Sequence, residues 1–224
     1  MNMRSATSNQ QPSSPPIAAT APDVHTTTCC IVGAGPAGAV LALLLARKGI
    51  SVTLLESHMD FDRDFRGDTI HPSVMELMAE LGLAERLLQL RHTRLSSVTL
   101  PTTRGPVTLA PFTRLKTRFP YITMMPQAAF LEFITTEAQR YPNFNLVLGA
   151  RVEQLIEEGH VVRGVRYHAP DGRHDVRALL TVGADGRFSK LRRLGQFTSA
   201  KTSPPMDVLW FRIPRQPSDS EEIM

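Results

Sequence analysis

The segment from Cys29 to Glu56, CCIVGAGPAGAVLALLLARKGISVTLLE, restricts the fold of this 224-residue chain more than any other. Cys29 to Val32 is a short, unbroken apolar run that stops at a glycine, the pattern of a strand covered on both faces. Gly33, Gly35 and Gly38 follow at the G-x-G-x-x-G spacing. In such a turn the first glycine permits the tight bend, the second lets the backbone approach a pyrophosphate, and the third lets helix and strand pack closely. Ala37, Val40, Leu41, Leu44 and Leu45 then recur at helical spacing, which predicts a helix with one buried face. Gly49 is placed to end that helix. Ile50 to Leu55 reads as a second strand, and Glu56, 18 residues beyond Gly38, falls at its C-terminal end. A carboxylate there can accept hydrogen bonds from ribose hydroxyls and repels a 2′-phosphate. Strand, turn, helix, strand and acid agree with one another. The expectation is a Rossmann-like α/β domain holding an adenine dinucleotide, NAD or FAD, with its pyrophosphate at the helix N-terminus.

Composition narrows the class. The 25 basic residues are interspersed with 21 acidic ones, giving a net charge of +4, so the reading is a solvated surface and no nucleic-acid site. No apolar run reaches the roughly 18 residues that span a bilayer, and the N-terminus lacks the pattern of a secretory signal. No membrane association and a cytoplasmic location are expected. Residues 1–27, rich in Ser, Thr, Pro, Gln and Ala, read as a disordered tail. Cys29 and Cys30 are adjacent, so in a strand they point to opposite faces and read as buried core thiols rather than a bridge. The seven histidines show no ligand spacing, and no metal site is proposed.

Beyond Glu56 the chain does not continue the strand–helix alternation usual for an NAD domain. It enters a polar loop, SHMDFDRDFRGDTIHPSVMELMAELGL, in which Pro72 opens a helix with Val74, Leu77, Met78 and Leu81 on one face and Gly82 after it. Three further segments follow in order: RGDTIHP from Arg66, MMPQAAFLEFI around Gln127, and VGADGRFSKLRR around Asp185. Read locally, Arg66 is a surface cation, Gln127 caps a helix, and Asp185-Gly186 is a turn with Ser189 opening the next helix. Taken together with Ala42 and Gly49, the chain from about Thr28 to Arg212 resembles the class A flavoprotein monooxygenases, the group that includes the aromatic hydroxylases. The resemblance implies FAD as cofactor and NAD(P)H as co-substrate. It assigns Arg66 to the FAD phosphates, Gln127 to a contact with the cofactor, and Gly183, Asp185, Gly186 and Arg192 to a motif serving both FAD and NAD(P)H. The implied cofactor-binding set is Gly33, Gly35, Pro36, Ala37, Gly38, Glu56, Arg66, Gln127, Asp185 and Gly186. The implied activity is hydroxylation of a small organic or aromatic molecule. Another flavin-dependent reductase or halogenase on this fold, or a catalytically inactive FAD-binding fragment or subunit, are the alternatives. No side chain is assigned as catalytic acid or base.

Asn145 to Glu158, Val161 to His168 and Arg173 to Val182 are three strand-like stretches separated by the turn signals Glu158-Gly159-His160 and Pro170-Asp171-Gly172. They predict an antiparallel β-meander, which the resemblance returns to the main sheet. SSVTLPTTRGPVTLAPF predicts a hairpin within an insertion at about 96–119, whose later basic residues Arg114, Lys116 and Arg118 read as a wet face. MDVLWFRIPR alternates as a strand, which resembles the start of the family's substrate-domain sheet. The expected organisation is a FAD-binding domain over 28–205 and the start of a truncated substrate domain over 206–224. The unpaired edge of Val208 to Ile213 is expected to be a site for association with another chain or for aggregation. The family's later Gly-Asp motif is not found, so the chain reads as the N-terminal half of such an enzyme.

Overall fold

In a computed structural model, which describes residues 23–62, 68–100, 102–200 and 214, the apolar run before the first glycine is an inner strand of a six-stranded sheet. That strand, β1 (Asp23–Val32), leads into helix α1 (Pro36–Arg47). Gly49 ends α1 as expected: at φ 75° its N–H donates to Ala46 O (3.0 Å), while Ile50 N–H donates to Leu45 O (3.1 Å), closing the last turn. β2 (Val52–Leu55), buried at every residue, lies parallel to β1.

After β2 come β3 (Thr69–Ile70), α2 (Pro72–Glu80) with Pro72 in its first turn, and the short α3 (Ala84–Leu87). β4 (Thr93–Leu95) follows, then the expected hairpin of β5 (Ser97–Leu100) and β6 (Val107–Pro111). β7 (Ile122–Met124) pairs with both β3 and β4 in a small antiparallel sheet. α4 (Gln127–Ala138) packs on α1, and β8 (Phe144–Val147) adds to β2 in parallel. The meander is β9 (Arg151–Glu158), β10 (Val161–Ala169) and β11 (Gly172–Gly183), and α5 (Lys190–Leu194) closes the described chain. The main sheet runs in the order β8-β2-β1-β11-β10-β9, its first four strands parallel.

Period-two alternation divides β1 between two cores. Cys29 and Ile31 face the cluster built with α1, α2 and α4, while Cys30 and Val32 face the cluster built by the meander and Leu191. Both cysteines are free and buried. Burial, then the neighbouring Cys29, pushes the Cys30 thiol up to about 12.

Four expectations are corrected. β1 begins at Asp23, inside the segment read as a tail, because β11 extends far enough to pair with it from Asp23–His174 onward. Asn145 to Glu158 is not one strand. Gly149 (φ 72°) breaks it, so β8 lies at one edge of the sheet and β9 at the other. In α1 the buried residues are Gly38, Ala39, Ala42, Leu43 and Ala46. Ala37 is exposed, Leu44 is half-buried, and the partly buried Val40, Leu41 and Leu45 pack against the core. Small side chains take the face of closest approach, and larger ones fill the wedge beside it. In α2 the fully buried residues are Met75 and Met78, with Val74, Leu77 and Leu81 only partly covered. Arg66 and the strand-patterned Val208 to Ile213 lie outside the described residues.

Candidate cofactor site

The carboxyl ends of β1, β2 and β11 meet at one edge of the sheet, and the glycine turn sits between them. Gly33 has φ 102° and donates its N–H to Leu55 O (2.7 Å); alongside, Ala184 N–H donates to Val32 O (2.7 Å). A Cβ on Gly33 would stand 2.5 Å from Ala184 O and 2.8 Å from the Cα of Asp185. On Gly38 it would stand 1.9 Å from Gly33 O. These two glycines are demanded by the protein's own packing. Gly35 is different: a Cβ there would meet nothing within 4 Å, and its φ of −67° suits any residue. The space it leaves opens outward, past the exposed Pro36 and Ala37 at the start of α1. The amides of Ala37 and Gly38 have no acceptor within the helix. A group carrying a pyrophosphate fits this cradle, with the positive end of α1 behind it.

Glu56 follows β2 and is 7% exposed. Its Oε2 accepts from Ala34 N–H (2.9 Å), inside the glycine turn, and its Oε1 accepts from His58 N–H (3.1 Å) and Ser57 Oγ (3.2 Å). His58 Nδ1 lies 2.8 Å from the same Oε1. The acid is therefore fixed against the glycine turn at the carboxyl end of β2. The spacing indicated the position, but nothing in it pointed to the Ala34 amide or to His58 as partners.

The Asp185 carboxylate organises the third wall. Oδ1 accepts from Ser189 Oγ (2.5 Å), and Oδ2 accepts from Lys190 N–H (2.6 Å) and Leu191 N–H (3.0 Å). Ser189 Oγ in turn accepts from Arg192 N–H (2.9 Å), so Asp185 and Ser189 together cap α5. Gly186 makes the bend with φ 77°, and Ser189 N–H closes it on Gly186 O (3.2 Å). The contact between Gly33 and the Ala184–Asp185 backbone joins this turn to the glycine turn as one unit.

Gln127 does not cap α4 with its side chain. It occupies the first helical position after Pro126, and its own N–H donates to Asp68 Oδ1 (3.2 Å). Met125 N–H donates to Asp68 O (2.9 Å), and Thr69 pairs with Met124. The segment that follows Arg66 is thus laced to the segment that precedes Gln127. Asp68, two residues past Arg66, is the residue responsible, and the sequence reading passed over it. Arg114, Lys116 and Arg118 are exposed, as the wet-face reading expected. Among the described residues no cluster of His, Cys, Asp and Glu could hold a metal, and no helix is long and apolar enough to cross a membrane.

Comparison with known proteins agrees with this geometry. A family profile described as "FAD binding domain" matches residues 26–223. The chain is 33% identical over 188 residues to 6-methylpretetramide 4-monooxygenase of Streptomyces rimosus, covering 84% of this chain and 45% of that protein. It is 31% identical over 167 residues to rifampicin monooxygenase of Streptomyces venezuelae, covering 73% of this chain and 33% of the relative. Among solved structures, anhydrotetracycline hydroxylase from Streptomyces rimosus superposes with a TM-score of 0.65 at 29% identity, over 75% of this chain and 33% of that one. p-Nitrophenol 4-monooxygenase from Pseudomonas putida shares the fold with a TM-score of 0.68 at 22% identity, over 79% of this chain and 45% of that one. The chain therefore belongs to the FAD-binding family of class A flavoprotein monooxygenases, and it spans about half, or less, of the length of the members it matches.

Proposed function

We propose that this chain supplies the FAD-holding part of an NAD(P)H-dependent monooxygenase acting on a small organic or aromatic molecule. The observation that carries the reading is Gly35: the protein has no packing use for a glycine there, whereas a pyrophosphate lying on the first turn of α1 does. Bound FAD would supply the redox chemistry, in which NAD(P)H and oxygen are consumed, one oxygen atom enters the substrate and the other leaves as water. The chain's residues bind and orient. The amides of Ala37 and Gly38 receive the phosphate oxygens, and Arg66 adds a positive charge to them. Glu56 accepts from the adenosine ribose hydroxyls, for which the exposed side chains of Ser57 and His58 give way at Oε1. Asp185 and Gly186 hold the turn that walls the site against β11, and Gln127 reaches the cofactor from α4.

Fluorescence titration with FAD, FMN and ADP tests the reading. FAD and ADP should bind competitively, and FMN, which lacks the adenosine half, much more weakly. Glu56→Ala should weaken FAD and ADP by about 1.5–3 kcal/mol, the worth of a charge-assisted hydrogen bond, and leave FMN unaffected. Equal affinity for FAD and FMN would overturn the assignment. Labelled oxygen, followed into product by mass spectrometry with aromatic substrates and NAD(P)H, tests the activity of the complete enzyme.

A further inference from the structure

One oxygen of the Glu56 carboxylate is crowded with donors from its own neighbours. Oε1 accepts from His58 N–H (3.1 Å), from Ser57 Oγ (3.2 Å) and from the His58 ring, whose Nδ1 stands at 2.8 Å. A carboxylate only accepts, so the hydrogen in that ring contact is on Nδ1. An oxygen of this kind has two lone pairs, and three donors converge on it. The other oxygen, Oε2, is held by Ala34 N–H (2.9 Å) inside the glycine turn.

The donors on Oε1 differ in how readily they leave. His58 N–H is fixed, because the backbone is tied down on either side of Ser57: Ala150 N–H donates to Glu56 O (2.7 Å) and Gly149 N–H to His58 O (2.8 Å). Met59 and Pro170 pack on Gly149, where a Cβ would stand 2.5 Å from Met59 Sδ and 3.3 Å from Pro170 Cδ. The His58 ring is loose by comparison. Its side chain is 60% exposed against 10% for Glu56, and besides Oε1 its hydrogen-bonding neighbour is the Ser57 hydroxyl (3.2 Å). A change of rotamer takes the ring into solvent while the backbone stays where it is.

We propose that the His58 ring competes with the adenosine ribose for Oε1 of Glu56 and so sets the affinity of the site for the adenosine half of the cofactor. The inference rests on the reading of Glu56 as the ribose acceptor. Two vicinal hydroxyls engage both oxygens of a carboxylate, and the hydroxyl directed at Oε1 has to displace the ring. The affinity for a ribonucleotide is therefore lower than the carboxylate alone would give, and a nucleotide without those hydroxyls escapes the competition. An exposed pair of this kind weighs about two- to fivefold in an equilibrium.

Calorimetric titration of the full chain with ADP and with 2′,3′-dideoxy-ADP is the test. His58→Ala removes the ring, and His58→Phe keeps a ring but removes the donor. Each should tighten ADP by about two- to fivefold and leave dideoxy-ADP unchanged. His58→Asn, whose amide offers an N–H close to the place of Nδ1, should bind ADP as the wild type does. In the Glu56→Ala background, where ADP is already weakened, adding His58→Ala should change nothing further. Weaker ADP binding by His58→Ala would make the ring a ligand of the nucleotide and overturn the proposal. An unchanged ADP affinity, a change shared equally by dideoxy-ADP, or an Asn variant that behaves as Ala overturns it too. Glu56→Ala without effect on ADP overturns the reading of the acid as well, whereas a weakened Glu56→Ala beside indifferent His58 variants overturns this inference alone.

Discussion

At the scale of single residues, the three glycines of one fingerprint are held for different reasons, and the difference can be measured. Gly38→Ala would place a methyl group 1.9 Å from Gly33 O, a backbone atom that cannot step aside. Overpacking of this kind costs about 1–3 kcal/mol, and the cost is borne with or without cofactor. Gly35→Ala meets nothing and has an ordinary backbone angle, so its cost to stability is confined to a weaker helix cap, under about 1 kcal/mol. FAD affinity should nevertheless fall, because the new methyl group projects into the cradle. Thermal unfolding without flavin should separate the two variants, and fluorescence titration should group them. The division of roles is wrong if Gly35→Ala destabilises the flavin-free chain as much as Gly38→Ala, or leaves FAD affinity unchanged. Sequence spacing shows three glycines in a pattern but not which of them the protein's own packing demands; only the surroundings of each show that.

At the scale of elements, what was legible in the sequence is what is local. β1, the glycine turn, α1 and β2 follow one another with their signals in adjacent residues. The break between β8 and β9 was not legible, because Gly149 sits alone in a run, NFNLVLGARVEQL, in which apolar residues recur on both sides of it at strand-like spacing. The β3–β7–β4 sheet was also missed, since strands of two and three residues carry no periodicity of their own and pair across about fifty positions (β3 with β7) and about thirty (β4 with β7). The turn at Asp185 was read correctly as a turn, with Ser189 at the helix start, but its depth of capping was not visible. Asp185→Ala should release two amides of α5 and the Ser189 hydroxyl, at about 0.5–2 kcal/mol, and loosen the wall behind Gly33. A thermal midpoint matching the wild type would remove that role. The β10–β11 pair carries a second measurable element. Arg166 grips Asp175 through Nε to Oδ1 (2.7 Å) and a terminal nitrogen to Oδ2 (2.9 Å). Those hydrogen bonds, then the positive charges of Arg166 and Arg177, outweigh burial and hold the Asp175 carboxyl below its ordinary range. With the folded value depressed, the pair's contribution is present above the unfolded value of about 3.9 and is lost as pH falls through the folded one. Asp175→Asn should therefore be less stable than wild type in denaturant at neutral pH, and the gap should close in strong acid. A gap of constant size across that range would show that the ion pair contributes nothing.

At the scale of the whole molecule, β1 is the wall between two cores, and its two cysteines look into one each. Cys29 is 3% exposed within the helix-covered layer, and Cys30 is fully buried against the meander. Neither thiol can react in place, because reaction needs both access and a thiolate, and burial raises both thiols above their ordinary range. Each therefore reports the opening of its own layer. The layers share β1 and β11, and the glycine turn is locked to Ala184 across their boundary, so separating them would break the central ladder itself. Cys29→Ala and Cys30→Ala, each leaving a single thiol, should label in urea at the same midpoint, and that midpoint should coincide with loss of the far-ultraviolet signal. The proposed cradle lies where the layers meet, so ADP at about a hundredfold above its dissociation constant should delay both labels alike, by about 2.7 kcal/mol. A thiol at position 30 that reacts at lower urea than the one at position 29 would show that the meander opens as a unit of its own. The turn at Asp185 would then move with it, and the cofactor cradle would be assembled from two independently stable parts rather than one.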